Sequence, residues 1–398
     1  MAIVHDFLYC YAGAERVLEQ MIELFPQADL FSLFDFVPIG ERDFLKGKRV
    51  RTTVLQRMPF AKQKHRAYLP LMPLAVEQLD VSDYDVILSS SYLSAKGVIT
   101  APHQLHVCYC HSPVRFAWDQ QHQYLEQAGL KRGIKSVLAR VILHYIRGWD
   151  VRSANNVDVF LTNSHFVRRR VERIYRREAS TVHPPVNVER FALCEEKEDF
   201  YVTVSRMVPY KRMDLIVEAF GRMPSRRLVV IGDGPEMKKI RRLAKGNVEL
   251  MGQQSDAVVG EKLGRARGFV FAAEEDFGIA PVEAQACGTP VIAFGRGGVT
   301  ESVIPGKTGI FFGRQQAGEL CRAVEAFERH TWDARAIRKH AEMFSAEVFR
   351  RNFRAVVEEA WERFQLHSGE GVFDMREAAL EAEGRDTRDR DTQVAERI

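Results

Sequence analysis

The stretch EEDFGIAPVEAQACGTPVIAF, residues 274–294, decides how this chain is read. It follows an apolar run, GFVFAA, that ends at Ala273 and has the residue types of a strand. Gly278 suits a tight turn, and Pro281 suits the first turn of a helix, where a missing N–H costs little. Gly288 fits the left-handed position just past the end of that helix. Asp276, Phe277, Gly278 and Ile279 then present backbone N–H groups at a helix N-terminus, a geometry that binds an anion without side-chain charge. Glu275 opens the turn and Glu283 lies one or two turns into the helix. Both can line one crevice at the C-terminal edge of a sheet, where open α/β sheets bind ligands. A carboxylate there accepts hydrogen bonds from a pair of hydroxyls, as sugar and ribose diols require. Taken alone, the glutamate pair fits an acidic surface loop equally well.

Three neighbouring loops weigh against that bland reading. SRMVPYKR, residues 205–212, ends the first strand of the second half and places Arg206 and Lys211 on one strand-to-helix loop. Two cations there match a diphosphate, whose charge grows as it leaves. IGDGPE, residues 231–236 with Gly232, and GRGGVTE, residues 295–301, are further glycine-rich strand-to-helix turns.

Outward from this region, short β-like runs alternate with amphipathic helical patterns, which predicts α/β architecture with parallel sheets. The first half reads AIVH, ADLFSLF, DVILSS, HVCYCH and DVFLTNS; the second reads FYVTVS, RLVVIG, NVELMG, GFVFAA, TPVIAF and TGIFFG. That is two doubly wound units without a sequence repeat between them. VHPPVNVERFALCEEKED, residues 182–199, reads as a linker. The expected division is residues 1–185 and 186–345 as two Rossmann-like domains and 346–365 as a C-terminal crossover helix. Residues 366–398, polar and almost free of aromatics, read as a disordered tail.

Bulk composition bounds the class. The 398 residues suit two domains; 46 % are hydrophobic and 28 % charged, ordinary for a soluble globular protein. No run reaches the roughly 18 apolar residues of a membrane span. The N-terminus lacks a basic leader region and reads as the first strand, so a cytoplasmic protein is expected. The six cysteines form no C-x-x-C pair and read as buried free thiols. The net charge is +4, but residues 46–66 hold eight Lys or Arg and no acid, and residues 131–177 hold twelve against three acids.

Together SRMVPYKR, IGDGP, EEDFGIAPVEAQACGTPVIA and GGVTE resemble retaining glycosyltransferases of family 4, with their E-x7-E signature. The N-terminal AGAER loop, YDVILSSS, CHSPVRFAWD, TNSHFV and HPPVNVERF follow in the family's order. The resemblance implies the GT-B fold: two Rossmann-like domains facing across a cleft, with the C-terminal helix packing back on the first. It implies that Glu275 contacts hydroxyls of the donor sugar, Glu283 holds the ribose, and Arg206 and Lys211 neutralise the diphosphate. Gly232, Phe277, Gly278 and Ile279 belong to the donor-binding turns. Gly13 would let backbone approach phosphates and acceptor, and His111 would touch the donor sugar near the reacting carbon. The family often has Gly-Gly where this chain has Ala12-Gly13.

The implied reaction retains anomeric configuration, with the departing diphosphate accepting the acceptor's proton on the same face of the sugar. No metal or other cofactor is expected; Asp83-Tyr84-Asp85 resembles the D-x-D metal motif of a different glycosyltransferase fold but opens a strand away from the donor elements. CHSPVRFAWD is similar to the branch that includes mannosyltransferases of bacterial surface polysaccharide synthesis. GDP-mannose is therefore the first donor to consider and UDP-hexoses the next. Rival readings are a nucleotide-sugar 2-epimerase on the same fold and a non-catalytic sugar-nucleotide-binding protein.

QRMPFAKQKHRAYLPLMP, residues 56–73, and KRGIKSVLARVILHYIRGW, residues 131–149, interleave cations with apolar residues. Both fit a solvated basic face or the headgroup region of an anionic membrane. A glycan or glycolipid acceptor favours the membrane, with the enzyme peripheral on the inner face of the plasma membrane. Nucleic acid is not expected, since no recognition motif accompanies the charge.

Overall fold

The computed structural model describes residues 1–368. They form two units. The first comprises Met1–Asn163, Val167–Val182 and the described chain from Phe349 onward; the second comprises Ser164–Phe166 and His183–Val348.

The first unit is built on a seven-stranded parallel sheet in the order β3-β2-β1-β4-β5-β6-β7. Its strands are β1 (Ala2–His5), β2 (Asp29–Ser32), β3 (Val50–Thr52), β4 (Val86–Ser91), β5 (Leu105–Cys110), β6 (Val159–Thr162) and β7 (Ser180–Thr181). The short edge strands β3 and β7 carry no apolar run long enough to announce them. The central strands are buried on both faces, which is why β5 reads as a continuous apolar run rather than an alternating one. Helix α1 (Gly13–Leu24) follows β1 and buries Val17, Leu18, Met21 and Ile22. Helix α2 (Ile134–Ser153) covers the opposite face with Leu143, Ile146 and Trp149. Helix α3 (His165–Tyr175) follows β6.

The second unit has six parallel strands in the order β10-β9-β8-β11-β12-β13. They are β8 (Glu198–Val204), β9 (Arg227–Ile231), β10 (Val248–Gly252), β11 (Ala266–Phe271), β12 (Val291–Phe294) and β13 (Gly309–Phe312). Helix α4 (Met213–Gly221) follows β8, and α5 (Ile279–Ala286) follows β11. Both sheets thus reverse strand order once, between β1 and β4 and between β8 and β11. Those reversals are the switch points beside which ligands bind in such sheets.

Helix α6 (Ala346–Ser368) carries Phe349, Phe353, Val357, Ala360 and Trp361 at helical spacing into the core of the first unit. Phe349 and Phe353 lie edge-on or tilted against the Tyr109 ring, 5.9 and 6.2 Å between centroids. The expected packing of a C-terminal helix on the first domain is therefore present. The helix continues to Ser368, three residues into the stretch read as a tail; the rest of that stretch lies outside the described residues. Residues 182–197 hold no helix or strand beyond a bridge at Val186 and a 3-10 turn, as read, but they are packed into the fold. Val186, Val188 and Phe191 sit in the second unit's core, Val186 N–H donates to the Phe344 carbonyl, and Glu198 already opens β8. None of the six cysteines is bridged; Cys108, Cys110 and Cys287 are buried as expected, but Cys10 is exposed.

Candidate functional site

In the second unit the site grows from the two strands flanking the switch point. β8 ends at Val204, and residues 205–212 turn through a short 3-10 segment, Pro209–Lys211, into α4. β11 ends at Phe271, and the chain turns at Glu275 and Gly278 into α5. Because β8 and β11 are neighbours, both turns emerge side by side. The result is direct: Lys211 Nζ donates to Glu275 Oε1, with both side chains largely buried. The sequence assigned these residues to different parts of a donor; the structure joins them.

Arg206 is exposed, and its guanidinium has no ion pair among the described residues. Lys211 also lies over the Tyr210 ring, 5.4 Å from its centroid. Gly278 caps α5 with φ +90°, and Gly288 follows its end with φ +72°, as the sequence predicts. Ile279 opens the helix, and half-buried Glu283 lies one turn into it. From the sequence, Phe277 contributes its backbone N–H. Its ring is buried in the core, 5.4 Å from His183 and 5.5 Å from Phe344 between centroids, so it can offer a donor only its backbone.

The glycine turns have a packing role that the sequence did not disclose. A Cβ on Gly232 would fall 1.9 Å from the Ser205 carbonyl oxygen, and one on Gly297 would fall 2.4 Å from that of Glu275. Gly298 N–H donates to the Glu275 carbonyl at 2.8 Å. One glycine turn therefore backs the Arg206–Lys211 loop and another backs the glutamate turn. Only residues without side chains let the turns approach this closely.

Glu301, at the end of GRGGVTE, was given no role from sequence. It accepts the backbone N–H groups of His165 and Phe166 at 2.8 and 3.0 Å and lies 3.1 Å from His183 Nε2. Burial would raise its pKa, but these donors outweigh burial and lower it.

In the first unit, Gly13 is the first residue of α1, and its φ is not positive. Glu15, three residues past the N-cap, accepts the Ala12 N–H at 3.1 Å. His111 follows β5. Its N–H donates to the Ser91 carbonyl, its carbonyl accepts from Asn163 Nδ2 at 3.0 Å, and its Nε2 lies 2.8 Å from Ser90 Oγ. Burial, and then the neighbouring His5, lower its pKa to about 3, so the ring is neutral across the working range. Asp83 and Asp85 lie before β4, at the opposite end of the strand from Ser90; the tyrosine between them donates to Asp29 at 2.5 Å.

The loop after β4 is held by carboxylates that sequence reading missed. Asp6 accepts four backbone N–H groups, from Tyr92, Leu93, Ser94 and Ala95, at 2.5–2.8 Å. Lys96 donates to Asp150 at 2.5 Å, both nearly inaccessible to solvent, and Asp150 also accepts from Trp118 and Tyr175. Among the described residues no group of three or more His, Cys, Asp or Glu could hold a metal ion.

Comparison with known proteins agrees with this architecture. A model described as Glycosyltransferase Family 4 matches residues 11–190, and one described as Glycosyl transferases group 1 matches residues 187–344. A GDP-mannose-dependent alpha-(1-6)-phosphatidylinositol monomannoside mannosyltransferase of Mycolicibacterium smegmatis is 28 % identical over 229 residues, 45 % of this chain and 57 % of that protein. A D-inositol 3-phosphate glycosyltransferase of Mycobacterium bovis is 28 % identical over 228 residues, 49 % of this chain and 47 % of that protein. The chain thus spans about half the length of these curated relatives. Among solved structures, Anabaena HepE in complex with UDP superposes with a TM-score of 0.65 at 17 % identity, over 90 % of this chain and 100 % of that one. Sucrose-phosphate synthase from Thermosynechococcus elongatus gives the same TM-score and identity over 91 % and 100 %. With two family models tiling its residues and GT-B proteins sharing its fold, the chain belongs to the family 4, group 1 glycosyltransferases.

Proposed function

We propose that this chain is a retaining glycosyltransferase that moves a hexose, mannose first among candidates, from a nucleotide diphosphate sugar to a lipid-linked glycan acceptor in cell-surface polysaccharide synthesis. The observation that carries the reading is the Lys211–Glu275 pair at the second unit's switch point, with the Arg206 guanidinium exposed on the same loop. Without donor the two charges neutralise each other. With donor, Lys211 and Arg206 take the diphosphate and Glu275 turns its oxygens to sugar hydroxyls. Glu283 holds the ribose, the turn at Gly232 and the separate turn through Phe277, Gly278 and Ile279 supply close backbone, and Gly13 and His111 keep the roles that the family resemblance implies for them.

In the proposed step the bond from the anomeric carbon to the diphosphate oxygen breaks first, leaving an oxocarbenium-like sugar. The acceptor oxygen attacks from the same face and passes its proton to the departing diphosphate. Charge on that leaving group is met by Arg206, Lys211 and helix amides, which replace a divalent cation. No carboxylate nucleophile on the opposite face is required, unlike in retaining hydrolases. Mannose is favoured by the relative whose name specifies GDP-mannose dependence.

The lipid-linked acceptor draws support from α2. Its outer side exposes Ile134, Val137, Leu138 and Val141, each more than half accessible, with Lys131, Arg132, Lys135 and Arg140 alongside. An apolar stripe flanked by cations suits the headgroup region of an anionic bilayer, at the inner face of the plasma membrane. No described helix is long and apolar enough to cross a membrane.

The test is incubation with GDP-mannose, UDP-glucose and their ADP and dTDP counterparts, following release of the nucleoside diphosphate and the anomeric configuration of the product by NMR. Slow donor hydrolysis without acceptor and an α product from an α donor are expected. Failure of every nucleotide sugar to bind, or an inverted product, would remove the reading.

A further inference from the structure

Two of the six cysteines meet in the second unit. Cys194 lies in the segment that leads into β8, and Cys287 is the residue just past α5. They are distant in sequence, yet the Cys194 N–H donates to the Cys287 carbonyl at 3.2 Å. One N–H···O bond of that length holds the two Cα atoms no more than about 6.8 Å apart, within the reach of a disulfide.

Both side chains lie over one turn of the same helix, Asp256–Arg265. A Cβ on Gly264 would fall 3.3 Å from Cys194 Cβ, and Cys287 Sγ lies 3.8 Å from the Gly260 carbonyl oxygen. Gly260 and Gly264 are one turn apart, so they share a helix face, and neither has a side chain to stand between the sulfurs. Lys197 ties the same backbone together. Its Nζ donates to the carbonyls of Gly264 and Cys287 and to Thr289 Oγ1, at 2.7, 3.2 and 2.8 Å. Cys194 Sγ lies 3.2 Å from the Glu196 carbonyl oxygen, so each thiol faces a backbone carbonyl. An S–H group is a weak donor, and such a contact does little to keep the sulfur from turning.

The two thiols differ in access. Cys194 is half-buried and lines an open cavity of about 470 Å³ together with Arg190, Ala192, Gly260 and Gly264, whereas Cys287 is inaccessible to solvent. Burial pushes the Cys287 thiol up to about 12, so it stays protonated. A small oxidant therefore reaches Cys194 first. An accessible thiol beside a sheltered one is the arrangement of an attacked and a resolving cysteine.

We propose that Cys194 and Cys287 are a peroxide-responsive pair that closes into a reversible disulfide. The Cys194 thiolate takes one oxygen from hydrogen peroxide, giving a sulfenic acid and hydroxide. Cys287 Sγ then attacks that sulfur. The S–S bond forms, the S–O bond breaks, and the hydroxyl leaves with the Cys287 proton as water. The proton that Cys194 gave up and the hydroxide make a second water, so two thiols lose two electrons and one peroxide gains them. The loop so closed contains β8 to β11, α5 and the turns that carry Arg206, Lys211 and Glu275. A bridge across about ninety residues restricts the unfolded chain strongly, so oxidation staples this part of the second unit against heat.

The experiment treats the full-length wild type with a small excess of hydrogen peroxide, digests it without reductant and maps the peptides by mass spectrometry. A peptide pair joined through Cys194 and Cys287, and released by dithiothreitol, is expected. The oxidised monomer should melt roughly 5–10 °C above the reduced one. In Cys287→Ser, dimedone should trap a sulfenic acid on Cys194; in Cys194→Ser, Cys287 should stay unmodified. Wild type in which Cys194 proceeds to sulfinic acid without the linked peptide would overturn the pairing, with no variant having to fold. Equal oxidation of Cys287 in Cys194→Ser would overturn the order of attack. A linked peptide with unchanged melting would overturn the stapling. None of these readouts needs a nucleotide sugar, so the pair stands or falls separately from the donor reading.

Discussion

The two sheet edges that carry the candidate residues are built by opposite means. In the first unit, buried side chains tie the strand ends together: Asp6 gathers four backbone N–H groups, Lys96 pairs with Asp150, and Glu15, His5, Ser90 and His111 form one chain. In the second unit, backbone packs on backbone through Gly232 and Gly297, and the charged side chains Arg206, Lys211 and Glu275 are left on the turns after β8 and β11. The difference teaches where function and stability separate. An edge held by glycine turns can spend its charges on a ligand. An edge held by buried polar side chains presents few groups but fixes them tightly.

The comparison breaks most readily at Lys96. Lys96→Met should cost about 3–5 kcal/mol, because Asp150 is left buried and unpaired. Denaturant unfolding reads this, and a Lys96→Met/Asp150→Leu double variant should recover part of the loss. A change under about 1 kcal/mol would mean that the first edge does not depend on its buried charges.

Lys211→Ala should act in the opposite currency. It should lower kcat/KM by roughly 100- to 1000-fold, as expected for removing one stabiliser of developing charge, while melting changes little. Steady-state kinetics beside a thermal melt separates the two. Gly297→Ala comes next. The new Cβ would meet the Glu275 carbonyl at a residue with φ +83°, so a cost of about 1–3 kcal/mol and a weakened donor site should appear together.

The pH dependence sharpens the contrast further. Burial lowers His106 to about 4 and, with His5, His111 to about 3, both from the ordinary 6.5. Between those values the unfolded chain binds more protons than the folded one, so stability rises with pH across that window and falls as the solution is acidified. His106→Gln should flatten the acid limb of a stability–pH curve. The smallest expected effect is that of a chelator: EDTA should leave transfer unchanged if Arg206, Lys211 and helix amides do the work of a metal.

Legibility in the sequence follows the same division. The second edge could be read because each turn is local: Gly278, Pro281 and Gly288 announce a helix and its ends within ten residues. What remained hidden was the Lys211–Glu275 contact, since only the adjacency of β8 and β11 brings residues so distant in sequence together. Phe277 was assigned to the donor because its backbone position is right, but nothing local shows that its ring turns into the core. The first edge was largely illegible. His5, Glu15, Ser90 and His111 come from three strands and a helix. The only local trace was the serine run in YDVILSSS, hydroxyls in a strand that ends up buried on both faces. In α2 the cations were visible, but not that apolar residues occupy the exposed side as well as the buried one.

Calorimetric titration of GDP-mannose and UDP-glucose into the wild type, Lys211→Ala and Glu275→Gln tests the central claim most directly. One of the two nucleotide sugars should bind the wild type, and each substitution should weaken it by at least about tenfold, or about 1.4 kcal/mol. Binding of neither sugar, or undiminished binding by Lys211→Ala, would contradict the account.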